Sequence, residues 1–485
     1  MKTLLVVIDG LGLRKEKEGN AFKQAETPNI EKLMQKHGCQ ELEASGKAVG
    51  LPEGYTGNSE VGHLHIGAGR TVPQRLTRIN KAIESGELGE KEALKQAFSR
   101  AEENGSKVHL AGIISDGGIH GHIEHLKALI EISRDYDVEL EIHCFTDGRD
   151  TSPKSAEKYI SELEKVLENS KGSIATVIGR FYAMDRDSNW ERTRQAYDAM
   201  AHGKGYGFEE PREAVEKAYS DGEYDYFIQP SARSDYEGIG FDDELIFYNY
   251  RADRERQIAE AFIKPGFNHF ENNVRPSFTS MFPYRRDFDN PVIFEKMVVE
   301  DTVGEKIEKW GMSQLRVAES QKKPHVTYFF NGQRELEFDN EERRFIESDK
   351  IKAFDERPEM HAEEITDIVI DAVEKGEKDF ILMNYANCDL VGHTGELDAT
   401  ITAVETVDKN IGRLTEAVED SEYAMIVTAD HGNCEDMGGE KSSNTSHTLN
   451  KIPFILVSEK QGEERIDSIS DVSKVVESLL NRPKS

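Results

Sequence analysis

Short apolar runs recur along the chain, and each stops at a residue able to do chemistry. TLLVVI runs up to Asp9, DFILMNYAN ends near Asp389, and YAMIVTA ends at Asp430 and His431. Between these outer segments, KVHLAGIIS leads to Asp116, LEIHCFT to Asp147, SIATVIG to Arg180 and ELIFYNY to Arg251. Runs this rich in Val, Ile, Leu and Phe suit strands buried on both faces of a parallel sheet. The charged stretches HIEHLKALIEISRD, SAEKYISELEKVLEN and HAEEITDIVIDAVEKG lie between them and read as helices. Strand and helix in alternation predict an α/β architecture. Ligands in such sheets collect beyond the carboxyl ends of the strands. Seven runs ending in Asp, His or Arg therefore mark a site more strongly than any one of them.

The endings differ by region. The outer segments end in Asp and His, whereas the middle adds Arg149, Arg180, Arg186, Arg251 and Arg254. This predicts a metal-binding domain, residues 1–72 and 297–485, split in sequence by an inserted anion-binding domain, residues 73–296. The Pro-containing stretches RTVPQRLTRIN, near 70–80, and DFDNPVIFEKM, near 287–297, are the candidate linkers. A chain of 485 residues is in any case too long for one ordinary core.

Charge narrows the partners. A formal net charge of −31 argues against nucleic acid or an anionic membrane, both of which need a basic face. Solubility, or a salty cytoplasm, would account for it. A phosphate substrate would be repelled by the overall field, so its attraction must come from metal ions or an arginine cluster. The cysteines Cys39, Cys144, Cys388 and Cys434 form no CxxC pair and read as free thiols in a reducing cytosol. The apolar run in MKTLLVVIDG is short and stops at Asp-Gly, so it reads as a buried strand rather than a signal peptide. No run is long enough to span a membrane, and a cytoplasmic location is expected.

The candidate chemistry sits at the strand ends. Asp430 and His431 in ADHGN, Asp389 and His393 four residues apart, His447 in SNTSHT, and Asp9 make six possible metal ligands. Carboxylate oxygens mixed with imidazole suit Mn²⁺, Zn²⁺ or Mg²⁺. Six exceed one catalytic site and suggest two ions, which clamp the oxygens of a displacement at phosphorus. A single Asp–His pair is more often a surface or capping pair, but three clusters of the same chemistry outweigh that reading. Cys388 and Cys434 beside them are read as bystanders.

GNSEVGHLHIGAGR, Gly57–Arg70, surrounds the single Ser59 with small residues. A helix starting at Ser59 would aim free N–H groups and its dipole at a phosphate. A serine hydroxyl needs a base or a metal to become a nucleophile. Alone, the motif reads as a glycine-rich turn with a capping serine; beside the metal set, Ser59 reads as the nucleophile. In the middle segment, SDGGIHGH, TDGRD, GRFYAMDRD and NYRADR carry His, Asp and Arg to strand ends. Arginine forks match both carboxylate and phosphate. Lys322 or its neighbour Lys323, in SQKKPH, adds a cation.

Together with NYANCDLVGHTG and TADHGN, these motifs resemble the cofactor-independent phosphoglycerate mutases, in order from Asp9 to His447. TADHGN alone would indicate only the wider alkaline-phosphatase-like superfamily. The resemblance implies interconversion of 3-phosphoglycerate and 2-phosphoglycerate in glycolysis and gluconeogenesis, with two Mn²⁺ (or Mg²⁺) ions and no 2,3-bisphosphoglycerate. It implies a monomer whose alkaline-phosphatase-like domain is interrupted by a smaller α/β transferase domain. It further implies that Ser59 becomes phosphorylated, that Asp389, His393 and His447 hold one ion, and that Asp9, Ser59, Asp430 and His431 hold the other. His120, Arg149, Asp150, Arg180, Arg186, Arg251, Arg254 and Lys322 match its substrate-contacting positions. Which arginine takes carboxylate and which phosphate stays open. Departures from the family pattern are Gly121 for Ser, Cys388 for Pro, Asn444-Thr-Ser-His447 for His-Thr-Ala-His, and Lys322-Lys323 for Lys-Tyr. None removes a matched ligand. Rival readings are a phosphopentomutase or phosphatase of the same superfamily, and a non-catalytic metal or anion binder.

Overall fold

The computed structural model describes residues 1–439, 442–458 and 465–481. The chain divides into two compact units, Met1–Gln74 with Met297–Ser485, and Arg75–Lys296.

The first unit is built on a seven-stranded sheet in the order Glu341–Ile346, Gln314–Glu319, Phe380–Tyr385, Lys2–Ile8, Tyr423–Thr428, Ile452–Val457 and Gln40–Leu42. The first five strands are parallel, and Ile452–Val457 runs antiparallel to its neighbour. The apolar runs explain its centre: Leu4, Leu5, Val6 and Val7 are fully buried, as a strand covered on both faces requires. Phe380–Tyr385 and Tyr423–Thr428, consecutive long strands of the sequence, lie on opposite sides of Lys2–Ile8. The segments that follow them meet at the carboxyl edge, where Asn433 Nδ2 donates to Asp389 Oδ1 at 3.1 Å. Asp9, Asp389 and Asp430 all follow these three strands.

The second unit has its own seven-stranded sheet, ordered Tyr206–Phe208, Ser231–Arg233, Gly172–Gly179, Glu139–Thr146, Lys107–Ile113, Glu244–Phe247 and Ser277–Ser280. Only Ser231–Arg233 against Gly172–Gly179 is antiparallel among these pairs. The charged stretches between strands form the helices Ile123–Ser133 and Ala156–Leu167, and Ala362–Lys375 in the first unit.

Two sequence expectations change. The stretch taken as the first linker is half helix, Arg75–Glu84, because Leu76, Ile79 and Ala82 recur at helical spacing and are buried. The first compact unit runs to Gln74. The run ELIFYNY pairs only over Glu244–Phe247. Beyond it, the Asn249 side chain replaces the ladder by accepting from the Ile113 N–H at 2.9 Å. Among the described residues, no helix is long and apolar enough to cross a membrane.

Candidate active site

Ser59 is the first residue of the helix Ser59–Ala68, whose N-cap is Asn58. The Asn58 side chain accepts from the Val61 N–H at 3.0 Å, so the serine hydroxyl is released from the capping role. It turns instead into a buried polar cluster. Ser59 Oγ lies 3.0 Å from Asp9 Oδ1 and 3.1 Å from His431 Nε2, and accepts from Lys322 Nζ at 2.9 Å.

The glycines around Ser59 serve close packing. A Cβ on Gly62 would stand 2.6 Å from the Asp430 carbonyl oxygen. Gly62→Ala is therefore expected to destabilise, because overpacking costs about 1–3 kcal/mol while alanine regains only roughly 0.5–1 kcal/mol of helix preference. A lowered denaturant midpoint checks this; a raised one would contradict the tight approach.

The carboxylates at the strand ends converge with three imidazoles. His393 Nε2 and His447 Nε2 lie 3.2 and 3.3 Å from Asp389 Oδ1, and 3.1 Å from each other. His393 Nδ1 bonds the Thr445 carbonyl at 2.7 Å and His447 Nδ1 the Gly57 carbonyl at 2.9 Å. A carbonyl can only accept, so each Nδ1 carries a proton and Nε2 is the ring atom left to bind a metal. Such backbone-anchored imidazoles are the arrangement that orients metal ligands. His431 Nε2 faces Asp9 Oδ1 at 3.4 Å, Asp430 Oδ1 at 3.8 Å and Asp389 Oδ1 at 3.9 Å. Asp430 Oδ2 is buried without a hydrogen bond: His63 Nδ1 lies 3.2 Å away, but its N–H is directed to the Ser59 carbonyl at 3.0 Å. Two groups, Asp389 with His431 and His447, and Asp9 with His63 and Asp430, each bring their donor atoms within 4.8 Å of one another. An orphaned carboxylate oxygen and a buried set of mixed O/N donors fit divalent cations.

The electrostatics are strong. Burial alone would raise Asp9 and Asp389, but the Lys322 ammonium holds both well below the usual carboxylate range. Burial would lower His431, yet Asp430 and Asp9 push it up to about 10. Lys322 Nζ reaches Asp9 Oδ1 at 2.7 Å and Asp389 Oδ2 at 2.6 Å, besides Ser59. Lys323 lies over the Phe345 ring, 5.4 Å from its centre, so Lys322 is the lysine at this cluster.

In the second unit, the remaining candidates gather at the carboxyl edge of its sheet. Buried Arg180 donates from Nη1 to Asp147 Oδ1 and Asp150 Oδ2, both at 2.6 Å. Asp147 Oδ1 also accepts the backbone N–H groups of Arg149 and Asp150, and Ser115 Oγ bonds Asp147 Oδ2 at 2.7 Å. Asp253, which the sequence reading did not single out, accepts from Arg186 Nη1 at 2.9 Å and lies 3.1 Å from Arg251 Nε. His120 Nδ1 is 3.8 Å from Asp253 Oδ1 and has no hydrogen-bond partner. Burial, then Arg180, pushes His120 down to about 3, so its imidazole is neutral near pH 7. Burial and the neighbouring Arg180, Arg186 and Arg149 lower Arg254. Guanidinium groups crowded against one another create a field that favours an anion.

Two residues of the first-unit cluster were missed. His63 falls one helical turn after Ser59, a spacing visible in the motif. Asn384 interrupts the buried run FILMNY, and a polar residue there was a readable signal.

Comparison with known proteins gives a consistent picture. The model of the metalloenzyme superfamily matches residues 1–481. The 2,3-bisphosphoglycerate-independent phosphoglycerate mutase of Clostridium novyi (strain NT) is 44% identical over 488 aligned positions, covering 98% of this chain and 95% of that protein. The protein of the same name from Listeria innocua is 42% identical, covering 99% of this chain and 96% of its own length. A solved structure of Leishmania mexicana phosphoglycerate mutase at low cobalt concentration is 30% identical, with a TM-score of 0.73, and covers 100% of this chain and 96% of that one.

Proposed function

This chain belongs to the 2,3-bisphosphoglycerate-independent phosphoglycerate mutases of the metalloenzyme superfamily, which makes it an isomerase, and on that premise we propose that Ser59 carries a phosphoryl group between the two hydroxyl oxygens of one glycerate. The observation that carries this reading is the convergence of Asp9 Oδ1, His431 Nε2 and Lys322 Nζ within 3.1 Å of Ser59 Oγ.

Asp389, His393 and His447 would hold one divalent ion, and Asp9, Ser59, Asp430 and His431 the other, with Mn²⁺ the proposed metal and Mg²⁺ the alternative. When bound, such ions lower the pKa of a hydroxyl and neutralise phosphoryl oxygens. The Ser59 hydroxyl donates to Asp9 Oδ1, which orients it, and the Lys322 ammonium donates to Ser59 Oγ, a contact that favours the ionised serine. Ser59 Oγ attacks phosphorus; the O–P bond to serine forms as the ester bond to glycerate breaks. The electron pair of the broken bond stays on the glycerate oxygen, which takes up a proton in place of the one that Ser59 released.

Retention of glycerate falls to the cationic residues of the second unit. The Arg149, Arg180, Arg186, Arg251 and Arg254 guanidinium groups suit its carboxylate and the incoming phosphate. His120, neutral, offers a hydrogen bond without adding charge. Asp150, bonded to Arg180, would take the proton of the second hydroxyl, whose oxygen then recovers the phosphoryl group as Ser59 Oγ regains a proton. Water must be excluded in the interval, or phosphoserine would hydrolyse.

The test is a coupled assay of 3-phosphoglycerate with Mn²⁺ and without bisphosphoglycerate. Formation of 2-phosphoglycerate is expected, and free phosphate as the only product would refute the reading in favour of a phosphatase.

A further inference from the structure

Ser59 and Asp9 are joined twice. Their direct link is the hydroxyl bond to Asp9 Oδ1 at 3.0 Å. The second link runs through two residues that the proposed ligand sets leave out. Asn384 Nδ2 donates to Asp9 Oδ2 at 2.8 Å and meets His63 Nε2 at 3.2 Å, while His63 Nδ1 bonds the Ser59 carbonyl oxygen at 3.0 Å. The direction of every proton follows. The Asp9 carboxylate can only accept, so the amide nitrogen of Asn384 must face it. The same nitrogen then faces His63 Nε2, which must accept, leaving the ring proton on Nδ1. The Ser59 carbonyl takes that proton. The four residues close a ring in which each donor has one direction.

The ring is buried. Asn384, His63 and Asp9 are inaccessible, and Ser59 is 6% exposed. Asn384 sits inside an apolar central strand, opposite Val7 in the register, where an aliphatic residue would avoid the cost of an unbonded amide. Its Oδ1 indeed has no hydrogen bond. A buried amide with one orphaned atom is costly unless its bonds serve another purpose. His63 is likewise spent on the ring: with its Nδ1 proton directed to the Ser59 carbonyl, it has no lone pair there to offer the cluster.

We propose that Asn384 and His63 are positioning residues which, through this ring, fix the Asp9 oxygen that meets Ser59 and the place of the Ser59 hydroxyl. The inference rests on the reading of Asp9 as a metal ligand and Ser59 as the phosphoryl acceptor. Asn384 holds Asp9 Oδ2, so Oδ1 is the oxygen turned to Ser59, His431 and Lys322. His63 ties the first turn of the Ser59 helix to the same amide. Neither residue touches the reacting atoms.

Asn384→Leu and Asn384→Ala remove the amide with and without keeping bulk, so hydrogen bonding is separated from packing and one folded variant suffices. In the holoenzyme each is expected to lower kcat by about 10–100-fold and weaken Mn²⁺ binding by a similar factor, as loss of an outer partner of a ligand does. The KM for 3-phosphoglycerate should stay near the parental value, since the groups proposed to hold glycerate lie in the second unit. Mn²⁺ binding is read directly from the electron paramagnetic resonance signal of the free ion. A folded variant that keeps both parental Mn²⁺ affinity and parental kcat would overturn the proposal. A parent protein that turns over 3-phosphoglycerate with no need of a divalent ion is a different result, and would remove the reading on which the proposal rests.

Discussion

Replacement of Ser59 by Ala is expected to reduce mutase turnover by a factor on the order of 10⁴ or more, as loss of a nucleophile that acts as a unit with its activators does. The substitution is well suited to isolate chemistry from folding. Asn58, not Ser59, caps the helix, and alanine is the best helix former. The hydroxyl is small, and Lys322 keeps its two carboxylate partners, Asp9 and Asp389. The thermal midpoint should therefore change little while kcat collapses. A variant that retains turnover within about tenfold of the parent would rule out a serine carrier.

Removal of divalent metal is expected to bring activity to background and lower the thermal midpoint, with both restored by Mn²⁺. Asp9, Asp389 and Asp430 are buried within one small cluster. Ions that bind the folded state alone stabilise it by mass action, about 2.7 kcal/mol for each site at a hundredfold excess over Kd. The pH dependence has a definite sign. His431 is pushed up to about 10, so its imidazole is protonated at neutral pH and must release that proton to serve as a ligand. Mn²⁺ affinity should rise with pH, and titration in weak buffer should show proton release. Activity indifferent to chelation, or affinity that increases on acidification, would count against the candidate ligands.

The parts of this protein legible in the sequence are those set by local periodicity. The apolar runs at Leu4–Ile8, Phe380–Tyr385 and Tyr423–Thr428 could be read because a strand covered on both faces must be apolar throughout. Asp9, Asp389 and Asp430 then followed as strand-end residues. What the sequence hid depends on which strands become neighbours. Asn384 touches Asp9 because Phe380–Tyr385 lies beside Lys2–Ile8, although 375 positions separate the two residues. Asp253, in the first turn of the helix Ala252–Ile263, lies between Arg186 and Arg251, a contact that no spacing in the sequence reveals. The choice between Lys322 and Lys323 depended on the direction of one side chain after a strand, which adjacent identical residues cannot reveal. The helix Arg75–Glu84 was obscured by Pro73, which drew attention to a break that falls before the apolar stripe begins.

The most direct measurement is the site of phosphorylation during turnover. Enzyme mixed with 3-phosphoglycerate and Mn²⁺, quenched in acid and digested, should yield the peptide containing Ser59 with a phosphoryl group on that serine, absent from the Ser59→Ala protein. Full turnover with Ser59 unmodified, or with the phosphoryl group on another residue, would contradict the central claim.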